Sequence, residues 1–224
     1  MAAVRNRRRG GQGPGHAPPR ATLGSMSDHD LDDDHDGELD EEHGEPELGD
    51  ARERAARRQL ALAQVRQYGD PVLRMRANEV ETFDEELPRV AEHMIGLMHD
   101  AEGIGLAATQ VGILRRFFVF HHDGEDRVVV NPELTRAGGE IETTDEGCLS
   151  LGPVRVPVER MLEITIEGRD ATGNPVKLEL EGLVARVVQH ELDHLDGTLI
   201  IDRTDAESRR EALSRLRPRL LLSR

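Results

Sequence analysis

His190 and His194 stand four residues apart, with Glu191 directly after the first, in the stretch Gln189-His190-Glu191-Leu192-Asp193-His194-Leu195-Asp196-Gly197. On a helix, residues four apart stack on one face, so two imidazoles would converge on a single point. A glutamate following the first of them can reach a water bound at that point. This is the His-Glu-x-x-His arrangement, which supplies two metal ligands and a general base. The preceding run, Leu183-Val184-Ala185-Arg186-Val187-Val188, is apolar with helical spacing, and Gly197 offers a natural stop. Two histidines at this spacing also occur on plain amphipathic helices, so the pattern needs further donors. Cys148, the only cysteine in the chain, is the one soft donor available. A small buried hydrophobe is its competing role. Two imidazoles, a thiolate and a water would make the open coordination set of a catalytic site.

The chain that must position these residues has 224 of them and a formal charge of −15, unevenly spread. Residues 1–27 carry five arginines and no acid, whereas residues 28–50 carry thirteen acids and no Lys or Arg. Such low-complexity segments bury too little apolar surface to offset chain entropy, so residues 1–50 are expected to be a disordered tail. Met26 directly precedes the acidic run and is a candidate true start of translation. Residues 51–224 remain moderately acidic, which argues against DNA binding. No apolar run approaches membrane-spanning length, and the basic N-terminus lacks the apolar segment of a secretory signal. A cytoplasmic location with no membrane contact is the expectation.

Residues 51–67 read as a loosely attached helix, residues 68–215 as the catalytic domain and residues 216–224 as an Arg-rich tail. Val90, Met94, Leu97 and Met98 recur at helical spacing, predicting a helix from about Glu85 to Ala101 whose methionines are core. Phe117–Phe120 and Val128–Val130 are short apolar runs, and Leu162–Glu167 and Val176–Leu180 alternate with period two. Thr172-Gly173-Asn174 between the last two predicts an antiparallel hairpin. A charged helix is expected from about Asp205. The resulting fold class is α+β, with antiparallel strands packed around a central metal-binding helix and further helices flanking them.

Two more stretches stand out, Gly103-Ile104-Gly105-Leu106-Ala107-Ala108-Thr109-Gln110 and Glu146-Gly147-Cys148-Leu149-Ser150. Together with the histidine stretch, in this order, they make the chain resemble a peptide deformylase over about residues 66–215. The resemblance implies a hydrolase that removes the formyl group from the N-formylmethionine of nascent proteins and releases formate. It implies one divalent metal held by Cys148, His190 and His194. That metal would be Fe(II), although zinc, nickel or cobalt suit the same donors. It further implies Glu191 as the base that passes a proton to the leaving amine. Gln110 and the backbone N–H of Leu149 would donate to the developing oxyanion. The peptide would add as an extended strand along Ile104, Gly105 and Gly147, with Leu183 and Val187 lining a pocket for its first side chain. Leu183 and Val187 could equally be ordinary core. Arg155 is a candidate for the substrate rim and Arg160 for an anchor of Glu146, with plain surface charge slightly preferred for both. The ribosome near its exit tunnel is a candidate partner, and a monomer is expected. The rivals are a His-Glu-x-x-His metallopeptidase, which would need a downstream ligand such as Asp202 or Asp205, and a deformylase paralogue with another N-acyl substrate. A non-catalytic zinc module would need a fourth Cys or His, and none is well placed.

Overall fold

The computed structural model describes residues 45–222, with side chains described for residues 49–216. Readings of residues 1–44 and 223–224 lie outside it. Five strands form one antiparallel sheet in sequential order, β1 (Gly105–Ala107), β2 (Phe117–His122), β3 (Glu125–Gly147), β4 (Arg155–Arg169) and β5 (Pro175–Glu181). Helices α1 (Glu45–Gln64) and α2 (Glu86–Asp100) precede the sheet, while α3 (Gly182–Leu195), α4 (Ile200–Arg203) and α5 (Ala206–Leu222) follow it.

β2 shows why the sheet lies between helices. Phe117, Phe118, Val119 and Phe120 are all fully buried, so the strand is apolar on both faces rather than alternating. Phe117 and Val119 join a cluster with Leu87, Ala91, Met94 and Met98 of α2. Phe118 and Phe120 turn the other way, toward Ala185, Val188, Leu192 and Leu195 of α3. α2 begins where Asp84 Oδ1 accepts from the N–H groups of Glu86 and Leu87, both at 3.2 Å, which occupies two donors left open at a helix start.

α3 is the central helix. Residues 191–195 are consecutively buried, including Glu191, Asp193 and His194, so this part of the helix has no solvent face. Buried charges there require partners, and the sheet supplies them. The helix ends at Leu195, and Gly197 follows with φ +73°. A Cβ at Gly197 would stand 2.7 Å from the carbonyl oxygen of Arg74, so both the stop and the close approach need glycine.

The helix Glu86–Asp100, the β4–β5 hairpin and the methionine core match the sequence reading. The long β3 does not. Its second half, residues 132–145, is mostly exposed and crosses three register shifts against β4, with Gly139 at φ +74°. Bulges and a wet surface erase the period-two signal. The helix at the N-terminal side starts at Glu45, before the boundary drawn at residue 51. Ala61 and Val65 are buried against the α2 side of the core. At the other end, α5 runs through residue 216 to Leu222, and Leu216 is buried, so the boundary drawn at 216 falls inside a helix.

Candidate active site

Three side chains from two elements converge on one point. Cys148 directly follows β3 and precedes a 3₁₀ turn (Leu149–Leu151), while His190 and His194 come from successive turns of α3. One donor atom from each lies within 4.8 Å of the other two. Cys148 Sγ is 3.2 Å from His194 Nε2, and the two imidazoles stand edge to face with centroids 4.9 Å apart.

The outer side chains fix this geometry. His190 Nδ1 is 3.0 Å from Glu146 Oε2, which turns Nε2 toward the other two donors. Glu146 also accepts from Arg160 Nε and Nη2, at 2.9 and 3.0 Å, and from Arg186 Nη1 at 2.9 Å. Burial pushes its carboxyl up, but the hydrogen bonds from His190 and Arg160 and the Arg160 charge outweigh that and hold it down at about 2. Arg160 Nη1 continues to Asp193 Oδ2 at 2.7 Å, and Asp193 accepts from Arg203. The result is a chain of alternating charge, buried from Glu146 to Asp193 and reaching solvent at Arg203, that joins the β3–β4 ribbon to α3. The slightly preferred surface reading of Arg160 is therefore corrected. Its side chain is 5 % exposed and it anchors Glu146, because two buried carboxylates on facing elements need a cation between them. Arg155 does sit at the rim, lining the cleft and donating to the Asp145 carbonyl at 2.8 Å. Arg186 and Asp193 were not singled out from sequence, since one lies in an apolar helical run and the other reads as an ordinary helix acid.

Glu191 lies inside the same cleft and is almost fully buried. Among the described residues its Oε2 has no hydrogen-bond partner. Burial is the main reason its carboxyl is pushed up to about 7, and His190 pulls the other way. Such a group can take and release a proton near neutrality. The opposing wall is Gly105, where a Cβ would stand 2.5 Å from Glu191 Oε1 and 2.8 Å from Val187 Cγ1. Only glycine lets β1 approach the carboxylate this closely.

Gln110 is held by the N–H of Ala107, which donates to Oε1 at 2.9 Å and so turns Nε2 inward. That amide is 3.2 Å from Ser150 Oγ and 3.7 Å from Cys148 Sγ. Leu149 is the first residue of its 3₁₀ turn, so its N–H has no acceptor within the turn.

The cleft has a volume of about 590 Å³ and is walled by Gly103–Gly105 on one side and Asp145–Leu149 on the other. Leu183, Val187, His190 and Glu191 form its floor. Leu183 is 64 % exposed, so the core alternative does not apply to it. α1 contributes Arg58 and Leu62, which sequence reasoning did not connect with the site. A second cleft, about 820 Å³ and rich in arginine, meets the network at Arg160, Asp193 and Arg203 and contains none of the three donors. The alternative ligands are occupied elsewhere. Asp202 pairs with Arg74 and Arg209, and Asp205 accepts from Glu207 and Ser208 N–H groups as the cap of α5.

The donor set fits a divalent metal. Sulfur and two imidazole nitrogens converge, the outer carboxylate orients a ligand, and an unpartnered carboxylate oxygen lies in the same cleft. An α+β fold with such a centre on its core helix defines a metal-dependent hydrolase of the His-Glu-x-x-His type.

Comparison with known proteins makes that class specific. The polypeptide deformylase family profile matches residues 62–210. Peptide deformylase 1 of Corynebacterium efficiens is 46 % identical over 162 residues, covering 70 % of this chain and 96 % of that protein. Peptide deformylase of Thermotoga neapolitana is 49 % identical over 142 residues, 63 % of this chain and 87 % of that one. The crystal structure of the Thermotoga maritima enzyme superimposes with a TM-score of 0.61 at 48 % identity, covering 63 % of this chain and 96 % of that one. The Synechococcus elongatus enzyme in complex with actinonin gives 0.65 at 39 % identity, covering 68 % and 84 %. The chain belongs to the peptide deformylase family, metal-dependent amidohydrolases that remove the formyl group from nascent peptides. Most of α1 precedes the matched residues.

Proposed function

We propose that Cys148, His190 and His194 hold the catalytic metal and that Glu191 is the general base for hydrolysis of N-formylmethionyl peptides. The observation that carries this is the convergence of the three donors within 4.8 Å beside a buried, half-unpartnered glutamate. The metal, once bound, supplies electrophilic stabilisation and a water whose pKa falls toward neutrality. Glu191 accepts the proton of the attacking water through Oε2 and delivers it to the amine nitrogen as the carbon–nitrogen bond breaks. Formate and a free amine result. Gln110 Nε2 and the Leu149 N–H donate to the oxygen that gains negative charge. Their fixed orientations mean little reorganisation is needed at that moment.

The peptide lies extended between Ile104–Gly105 and Gly147. β1 is the edge strand of the sheet, and its free side offers main-chain recognition tolerant of downstream sequence. The methionine side chain enters over Leu183 and Val187. Fe(II) is the metal this reading favours, since thiolate and imidazole suit it, and zinc, nickel and cobalt are the alternatives. The catalytic unit is residues 68–215, with α1 as an added wall. It acts in the cytoplasm as a monomer, near the ribosomal exit where formylated N-termini emerge. Among the described residues no helix is long and apolar enough to cross a membrane.

Metal analysis tests the ligand assignment. Anaerobically loaded protein is expected to hold one equivalent of metal in this cleft, and Cys148→Ala to lose it together with formate release. Full retention of that equivalent with an unchanged spectrum in Cys148→Ala would remove the thiolate from the set.

A further inference from the structure

Outside the catalytic cleft, a second set of metal-ligating side chains meets where α2 ends. The alternation of β2 determines part of this. Phe117 and Val119 face α2, so His121, two residues on, projects from the same face beyond the apolar packing. Asp126 of β3 is its direct cross-strand partner and therefore shares that face. His99 lies in the last turn of α2, one turn after Ile95, which packs against the same core.

The three side chains aim at one place. His99 Nε2 and His121 Nδ1 both lie 2.8 Å from the same oxygen, Asp126 Oδ1. The two imidazoles are edge to face with centroids 5.4 Å apart, and the three donor atoms all lie within 4.8 Å of one another. His99, His121 and Asp126 are 46, 42 and 32 % exposed at the side chain, so an ion and its remaining waters can reach them. The carbonyl end of α2 adds a favourable dipole for a cation.

We propose that His99, His121 and Asp126 form a second divalent-cation site that ties the end of α2 to the β2–β3 hairpin. Two neutral imidazoles and a carboxylate oxygen suit a borderline ion, zinc above all, and are a poor set for magnesium or calcium, which prefer oxygen donors. Three protein ligands leave a fourth position to water. Binding needs the two nitrogens to turn from the Asp126 oxygen to the ion, a movement of a few tenths of an ångström in exposed side chains. The site has a mechanical connection to the cleft. The His121 N–H donates to the Ile104 carbonyl at 2.9 Å, so an ion here braces the back of the Gly103–Gly105 segment.

Zinc itself is the probe. Full-length protein already carrying one equivalent of zinc is titrated with further Zn²⁺ by calorimetry, and hydrogen exchange is followed in residues 99–105. The expected result is one additional equivalent, with slower exchange in that segment. In His99→Ala and Asp126→Ala the second equivalent binds more than about 100-fold more weakly, beyond the effect of losing an outer-shell partner. Both variants keep the first equivalent and formate release, and both fold, because the altered side chains are exposed. Cys148→Ala shows the reverse loss, which separates this site from the catalytic one. Three outcomes overturn the proposal. These are a single equivalent in the wild type at hundreds of micromolar free zinc, a second equivalent that survives both substitutions, or a zinc anomalous peak placed elsewhere.

Discussion

Among the described residues, two three-donor sets of similar chemistry stand in different surroundings. The Cys148–His190–His194 set is largely buried and is braced through His190. Glu146 orients His190, Arg160 and Arg186 neutralise Glu146, and Asp193 and Arg203 extend the network across α3. The His99–His121–Asp126 set rests on a helix end and a hairpin, and the two histidines share one carboxylate oxygen. In the first, the protein has already spent folding free energy to hold the donors apart and aimed. In the second, water competes for every donor. Chemistry near neutrality needs the first kind of setting, because burial is what lifts Glu191 to about 7 beside a carboxylate held at about 2.

Removing the close approach that sets Glu191 is one way to break this contrast. Gly105→Ala places a Cβ into Glu191 Oε1, so β1 or the carboxylate must move by the better part of an ångström. Turnover is expected to fall by about 10²-fold with metal retained, measured as formate release and metal content. A second way is to cut the brace. Arg160→Met leaves Glu146 and Asp193 short of their shared cation and should cost about 3–5 kcal/mol in urea unfolding. Metal affinity at the Cys148 centre should fall by about 10–100-fold in the same variant. His99→Ala, the matching cut in the exposed cluster, should cost less than about 1 kcal/mol in metal-free protein. Equal costs for the two would contradict the distinction between a built centre and a surface one.

Acid–base behaviour sharpens it further. The folded-state pKa of Glu191 is raised from 4.5 to about 7, so folding favours its protonated form. In metal-free protein its stabilising contribution is full below about pH 4.5 and lost as pH rises through about 7, a change of up to roughly 3 kcal/mol. Glu146 has the opposite sign, with its contribution present above 4.5 and lost as pH falls toward 2. Between pH 4.5 and 7 the urea midpoint of metal-free wild type should therefore fall relative to that of metal-free Glu191→Gln, the contributions of His190 and His194 being common to both. Parallel pH dependence in the two proteins would assign the titration to another group.

What the sequence reveals follows from how each feature is encoded. The two histidines and Glu191 were legible because one helix carries them at fixed spacing. β2 and α2 were legible because they are apolar on the faces they bury. β3 beyond residue 131 was not, since bulges and exposed polar residues remove the alternation. Arg160, Arg186 and Asp193 were obscure for a different reason. Their partners are 10 to 44 residues away, and nothing local tells a buried arginine from a solvated one. The His99–His121–Asp126 set is likewise a product of register and packing rather than of a motif.

Hydrolysis of the formyl amide is proposed to rest on this metal centre, with Glu191 as base. The most direct test is formate release from formyl-Met-Ala-Ser by anaerobically iron-loaded protein, run beside metal-free protein, Glu191→Gln and the unformylated peptide. Rapid formate release is predicted from the loaded wild type alone, with the unformylated peptide intact. In Glu191→Gln, which retains its metal, the rate should fall by at least about 10²-fold. Near-normal turnover by metal-loaded Glu191→Gln, or formate release by metal-free protein, would contradict the account.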